Sequence, residues 1–109
     1  MVDGQTQIAV MQPESGDYNV LTRDRSRGAI SSFSWSGDGT RIYYGRIDGV
    51  PRGVFSVSAV GGEERLVLED AVGPAALPDG SLLLAKINDR RQYQIYRYWP
   101  DTRRTQANL

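Results

Sequence analysis

The chain has 109 residues, enough for one ordinary domain, and its thirteen basic and thirteen acidic residues leave a formal net charge of zero. That balance argues against a dedicated nucleic-acid binder, which carries a basic excess, and against an electrostatic membrane anchor. Cysteine and histidine are both absent, which removes disulfides, thiolate chemistry, the commonest metal ligand and the commonest general base.

Ile8 to Met11 is a short apolar strand candidate, Pro13 to Gly16 a turn, and Tyr18 to Thr22 the returning strand. Arg23 to Gly28 is a charged connector. Ala29 to Trp35 alternates loosely through Ile30, Phe33 and Trp35 and predicts a third strand. Ser36-Gly37-Asp38-Gly39 then predicts a tight hairpin, because glycine reaches positive φ without a Cβ clash. Arg41 to Ile47 is rich in β-branched and aromatic residues and follows as a strand. Asp48 to Gly53 reads as a loop, and Val54 to Ser58 as a half-buried strand. Gly61-Gly62 turns the chain into Arg65 to Leu68. Val72 to Leu77 is a poorer strand, since it contains Gly73 and Pro74. Pro78-Asp79-Gly80 turns into Ser81 to Ile87. Asn88 to Gln92 is a loop, Tyr93 to Trp99 a strand, and Arg104 to Leu109 the last segment. No apolar run approaches the roughly 20 residues that span a bilayer. The first residues lack the basic-then-apolar order of a signal peptide.

The segments repeat. A shift of 41 aligns Thr40 with Ser81, Ile42 with Leu83, Asp48 with Asp89, Val54 with Ile95 and Val57 with Tyr98. A shift of 46 aligns Ile8 with Val54, Gly16 with Gly62 and Val20 with Leu66. The chain is therefore expected to hold the last two strands of one unit plus a connector (1–28), a four-stranded unit (29–70) and another (71–109), together one partial domain. Four-stranded units at this period predict an all-β fold: a partial β-propeller of about two and a half antiparallel blades. A non-repetitive sandwich or barrel is the alternative.

The run Phe33-Ser34-Trp35-Ser36-Gly37-Asp38-Gly39-Thr40-Arg41-Ile42-Tyr43-Tyr44, followed by Val54 to Val57 and Gly61-Gly62, resembles the WD40-like (PD40) repeat of TolB-type propellers. That family's turn is Ser-Pro-Asp-Gly; here Gly37 replaces the proline and Leu77 replaces the second serine. Val20-Leu21-Thr22 matches its closing element. The resemblance implies a TolB-like propeller with a role in protein or ligand recognition and an extracytoplasmic, periplasmic setting in a bacterium. It leaves two alternatives: a sensor segment of a bacterial receptor-type Ser/Thr kinase or regulator, or the gating propeller of a prolyl-oligopeptidase-like hydrolase.

A propeller closes with at least about four blades. The expectation is that the remaining blades come from a longer polypeptide, in preference to self-association into a ring.

No catalytic constellation is visible. Without histidine there is no Ser-His-Asp relay, and no G-x-S-x-G or kinase signature occurs. Gly37-Asp38-Gly39 lacks the lysine of a phosphate loop, and Asp38, Asp48, Asp79 and Asp89 are isolated, not spaced as a calcium site. No enzyme activity, cofactor or metal is expected of this segment, nor nucleic acid or membrane insertion. The candidate binding rim gathers the inter-blade connectors and middle hairpin loops: Arg23, Arg25, Arg27, Asp48, Arg52, Asp89, Arg90 and Arg91. Asp24, Glu69 and Asp70 lie on the same rim, so a solvated, internally paired surface is favoured over a basic field for an anionic partner. Trp35, Tyr43, Tyr44, Tyr96 and Trp99 could stack on a ligand, but inter-blade core is the favoured place for most of them.

Overall fold

The computed structural model describes residues 8–11, 18–20, 29–47, 51–87 and 90–107. Within them lie β1 (Ala9–Met11), β2 (Tyr18–Val20), β3 (Ile30–Trp35), β4 (Arg41–Arg46), β5 (Gly53–Ser58), β6 (Arg65–Glu69), β7 (Ala71–Ala76), β8 (Leu82–Ile87), β9 (Tyr93–Trp99) and β10 (Arg104–Ala107). Three antiparallel sheets form: β1-β2, β3-β4-β5-β6 and β7-β8-β9-β10, each four-stranded sheet a simple meander.

Each step in these sheets has a local cause. Asp38 Oδ1 accepts bonds from the Thr40 amide at 3.0 Å and from the Ser36 and Thr40 hydroxyls, both at 2.7 Å. Gly39 follows at φ 74°, which only glycine adopts freely. Asp79 and Gly80 repeat the device: Asp79 Oδ1 accepts from the Ser81 amide at 2.9 Å, and Gly80 stands at φ 90°. Between the sheets Asp70 alone links β6 to β7, at φ 59°. Aspartate tolerates that left-handed conformation better than most side chains.

The two four-stranded sheets share their register. Ile30↔Arg46 corresponds to Ala71↔Lys86, Trp35↔Ile42 to Ala76↔Leu82, and Phe55↔Leu66 to Tyr96↔Ala107. A bulge interrupts the first ladder between Ile30 and Phe33 and the second between Val72 and Ala75. That explains how β7 tolerates Gly73 and Pro74. They occupy the bulge, where the ladder asks for no amide hydrogen. The β1-β2 pair also matches β5-β6, since Ala9↔Val20 stands where Phe55↔Leu66 does.

One sequence alignment needs correction. Ile42 corresponds to Leu82, not to Leu83, because Ile42↔Val57 superposes on Leu82↔Tyr98. The second Asp-Gly turn closes one residue sooner, with Leu77 N bonding Ser81 O where Ser36 N bonds Arg41 O. A one-residue slip exchanges the faces of a strand, so the core side chains of β8 are Leu82 and Leu84.

Two apolar cores result. Ile8, Ile42, Tyr44, Phe55 and Val57 pack between the β1-β2 pair and the second sheet, with Ile30 against them. Val54, Ala71, Leu82, Leu84 and Tyr98 pack between the second and third sheets. Burying each such large side chain contributes about 1.5–3 kcal/mol. The inner strands β3 and β7 also touch, through the Ala76 amide donating to Ser34 Oγ at 3.1 Å.

Trp35, expected in an inter-blade core, is 47% exposed, and Phe33 on the same strand is 66% exposed. Their cross-strand partners are Ile42 and Tyr44, so both lie on the face that meets β1-β2. That pair corresponds to the outer strands β5-β6 and leaves the inner strand's face open. Tyr44 is fully buried as expected, while Tyr43, Tyr96 and Trp99 are partly buried.

Candidate functional site

At one end of the sheets lie the β4–β5 and β8–β9 connections and the Asp70 link, which is the rim that the sequence singles out. Arg23, Arg25, Arg27, Asp48 and Asp89 lie outside the described residues. Of the remainder, Arg52 Nε donates to Asp70 Oδ1 at 2.9 Å, while the Asp70 amide bonds the Arg52 carbonyl at 3.0 Å. The hydrogen bond to Asp70, then the Asp70 charge, raises the Arg52 pKa above its ordinary value. Both side chains are well exposed, so water screens the pair and it fixes geometry more than it stabilises. Arg90 and Arg91 are exposed in the β8–β9 connection, with Arg91 at φ 59°.

Beside the Arg52–Asp70 pair is a groove of about 360 Å³, whose lining includes Ile47, Ile87 and Tyr93. Arg90 and Arg91 do not line it. Tyr93 is 67% exposed and Ile87 55%. They are cross-strand partners at the ends of β8 and β9. Sequence reasoning ranked this rim by charge and missed the three apolar residues. The available signal was position, since an apolar pair closing a hairpin next to a polar loop has neighbours on one side only. The groove therefore offers aromatic and aliphatic contact beside one fixed ion pair, a combination suited to binding.

A buried ion pair with a tyrosine bonded to it supports the sheet behind this rim. Tyr44 and Arg46 share one face of β4 through the alternation Ile42, Tyr44, Arg46, and Glu64, just before β6, meets them there. Glu64 Oε1 accepts from the Tyr44 hydroxyl, from Arg46 Nη2 at 2.8 Å and from Arg46 Nε at 3.2 Å. Burial, then the Glu64 bond and charge, pushes the Tyr44 phenol far up, so it stays neutral and donates. The Arg46 guanidinium also stands 5.7 Å over the Tyr44 ring.

Among the described residues, no group of three or more His, Cys, Asp or Glu could hold a metal ion. No helix among them is long and apolar enough to cross a membrane.

Successive four-stranded meanders, face to face, with inner strands in contact and outer strands apart, define a partial β-propeller. Its fold is similar to that of TolB propellers. TolB from Acinetobacter baumannii matches with a TM-score of 0.73 at 16% identity, over 93% of this chain and 26% of that one. A putative TolB from Agrobacterium tumefaciens matches with a TM-score of 0.71 at 17% identity, over 89% of this chain and 38% of that one. At such identities the likeness is one of fold, and the chain spans well under half the length of either protein. No family model and no curated protein matches the chain.

Proposed function

We propose that this chain is a non-catalytic recognition module, part of a TolB-like propeller built from WD40-like PD40 repeats, that binds a protein or small ligand at the rim carrying Arg52 and Tyr93. The observation that carries the reading is the groove where exposed Ile47, Ile87 and Tyr93 stand beside the Arg52–Asp70 pair. Amide NMR spectra recorded against a panel of short peptides and small-molecule fragments test it. Binding that shifts the amides of Arg52, Ile87 and Tyr93, and is lost in Tyr93→Ala, supports the assignment. A panel whose binders shift only residues elsewhere refutes it.

Ring completion is part of the same reading. Phe33 and Trp35 stand open at one end, and Ile95 stands open on β9 at the other. Further blades of a longer polypeptide cover both places. Size-exclusion chromatography with light scattering separates this from a self-assembled ring: a single closed oligomer of the chain would rule out the longer polypeptide.

A further inference from the structure

A second surface lies on the opposite side of the seam between the two four-stranded sheets. Among the described residues β6 pairs only with β5, and none of them occupies its other edge. A cavity of about 590 Å³ runs beside it, and all five successive residues from Arg65 to Glu69 line that cavity. Side chains on one face of a strand alternate, so five consecutive lining residues bring the cavity to the β6 backbone, and Tyr43 and Ser56 carry it on across the face of the sheet. Its far wall comes from the third sheet, including Tyr98, Arg103 and Thr105. The Tyr98 hydroxyl donates to the Val67 carbonyl at 3.4 Å. Val67 is the bulged residue of β6, between the pairs Val54↔Leu68 and Phe55↔Leu66.

The charges of the cavity are ordered. Arg41, at the start of β4, Arg65, at the start of β6, and Arg103, in the β9–β10 turn, gather at one end with Asp101, while Glu69 stands at the other. Arg41 is engaged with the Ser56 hydroxyl at 2.9 Å. Among the described residues, Arg65 and Arg103 have no carboxylate partner.

We propose that this outer edge of β6 is a docking site for an extended peptide with carboxylate side chains, added to the sheet as a further strand. Its backbone pairs with the β6 edge, which gives affinity, and its carboxylates meet Arg65 and Arg103, which gives selectivity and sets its direction. This site is separate from the groove at Arg52 and Tyr93 and stands or falls independently of it. The opposing explanation is that Arg65, Glu69 and the bulge opposite Val54/Phe55 only guard the edge against association.

The probe is a fluorescein-labelled hexapeptide alternating Glu and Val, measured by anisotropy against the whole chain. The controls are a Lys-Val hexapeptide and the Glu-Val hexapeptide N-methylated at alternate residues. The acidic peptide is expected to bind, and both controls to bind at least tenfold more weakly. R65E/R103E, at two exposed positions, is expected to lose at least tenfold in affinity for the acidic peptide, with the circular dichroism spectrum unchanged. Equal binding of the N-methylated peptide, equal binding of the lysine peptide, or no binding at all overturns the proposal. So does concentration-dependent dimerisation of the chain that R65E/R103E abolishes, since a second copy then occupies the edge.

Discussion

Removing the Glu64 carboxylate should be among the costliest single changes in this chain. Arg46 has a fully buried side chain, and that of Glu64 is nearly so. In Glu64→Ala the Nε and Nη2 of Arg46 lose their carboxylate, and the Tyr44 hydroxyl loses its acceptor. Stripping one partner from a buried pair costs about 3–5 kcal/mol, because the other charge stays desolvated. Arg46 has a further interaction besides these bonds, which places the expectation at the low end, about 3 kcal/mol. With a urea dependence of about 1–3 kcal/mol per molar, the unfolding midpoint should fall by roughly 1–3 M. The fluorescence of Trp35 and Trp99 reports the transition. Glu64→Gln keeps the shape and one acceptor and should cost less. Replacing the pair together, by R46M/E64L, should recover most of the loss, since apolar groups of similar volume carry no desolvation penalty. A Glu64→Ala loss below about 0.5 kcal/mol, the range of an exposed ion pair, would refute the reasoning, as would a double variant less stable than Glu64→Ala.

The remaining predictions concern the turns and packing. The hydrogen bond from Ser36, then those from Thr40, lower the Asp38 carboxyl from its ordinary 3.8 to about 2. A depressed carboxylate stabilises the fold fully above pH 4 and loses that contribution as pH falls towards 2, so carboxyl NMR should show Asp38 titrating near 2, and Asp38→Asn should flatten that part of the acid unfolding profile. Gly53→Ala should destabilise by at least about 2 kcal/mol in the same urea assay, because its Cβ would overlap the Leu68 carbonyl oxygen and lie 2.9 Å from Glu69 Cα, at φ 151°. Gly37→Pro, which would create a Ser-Pro-Asp-Gly turn, should fail to raise the melting temperature, since a Cβ there would stand 3.1 Å from both Leu77 O and Pro78 Cα. Phe55→Ala should cost about 3–5 kcal/mol and Trp35→Ala clearly less, as Phe55 is fully buried and Trp35 half open.

The geometry at Gly37 joins two positions where the sequence differs from the repeat it resembles. Gly37 and Leu77 are the replaced positions of successive units, and folding brings their turns into contact. In the sequence they read as two unrelated lapses, 40 residues apart. In the structure, the missing Cβ of one makes room for the backbone of the other.

What the sequence determined by itself was local and periodic. Alternating apolar residues, Asp-Gly turns and double glycines specify strands and hairpins through backbone sterics and neighbouring hydrogen bonds, so all ten strands were legible in order. Their repetition was legible because each unit solves the same packing problem with the same spacing. Tertiary structure decided everything that depends on which faces meet. It chose Leu82 over Leu83 for the core, because a turn one residue shorter reverses the alternation. It left Trp35 half open on the face where its cross-strand partner Ile42 is buried with Ile8. It paired Arg46 with Glu64 and set Ile87 and Tyr93 beside Arg52, partners that are distant in the chain and become neighbours only when strands align and sheets stack.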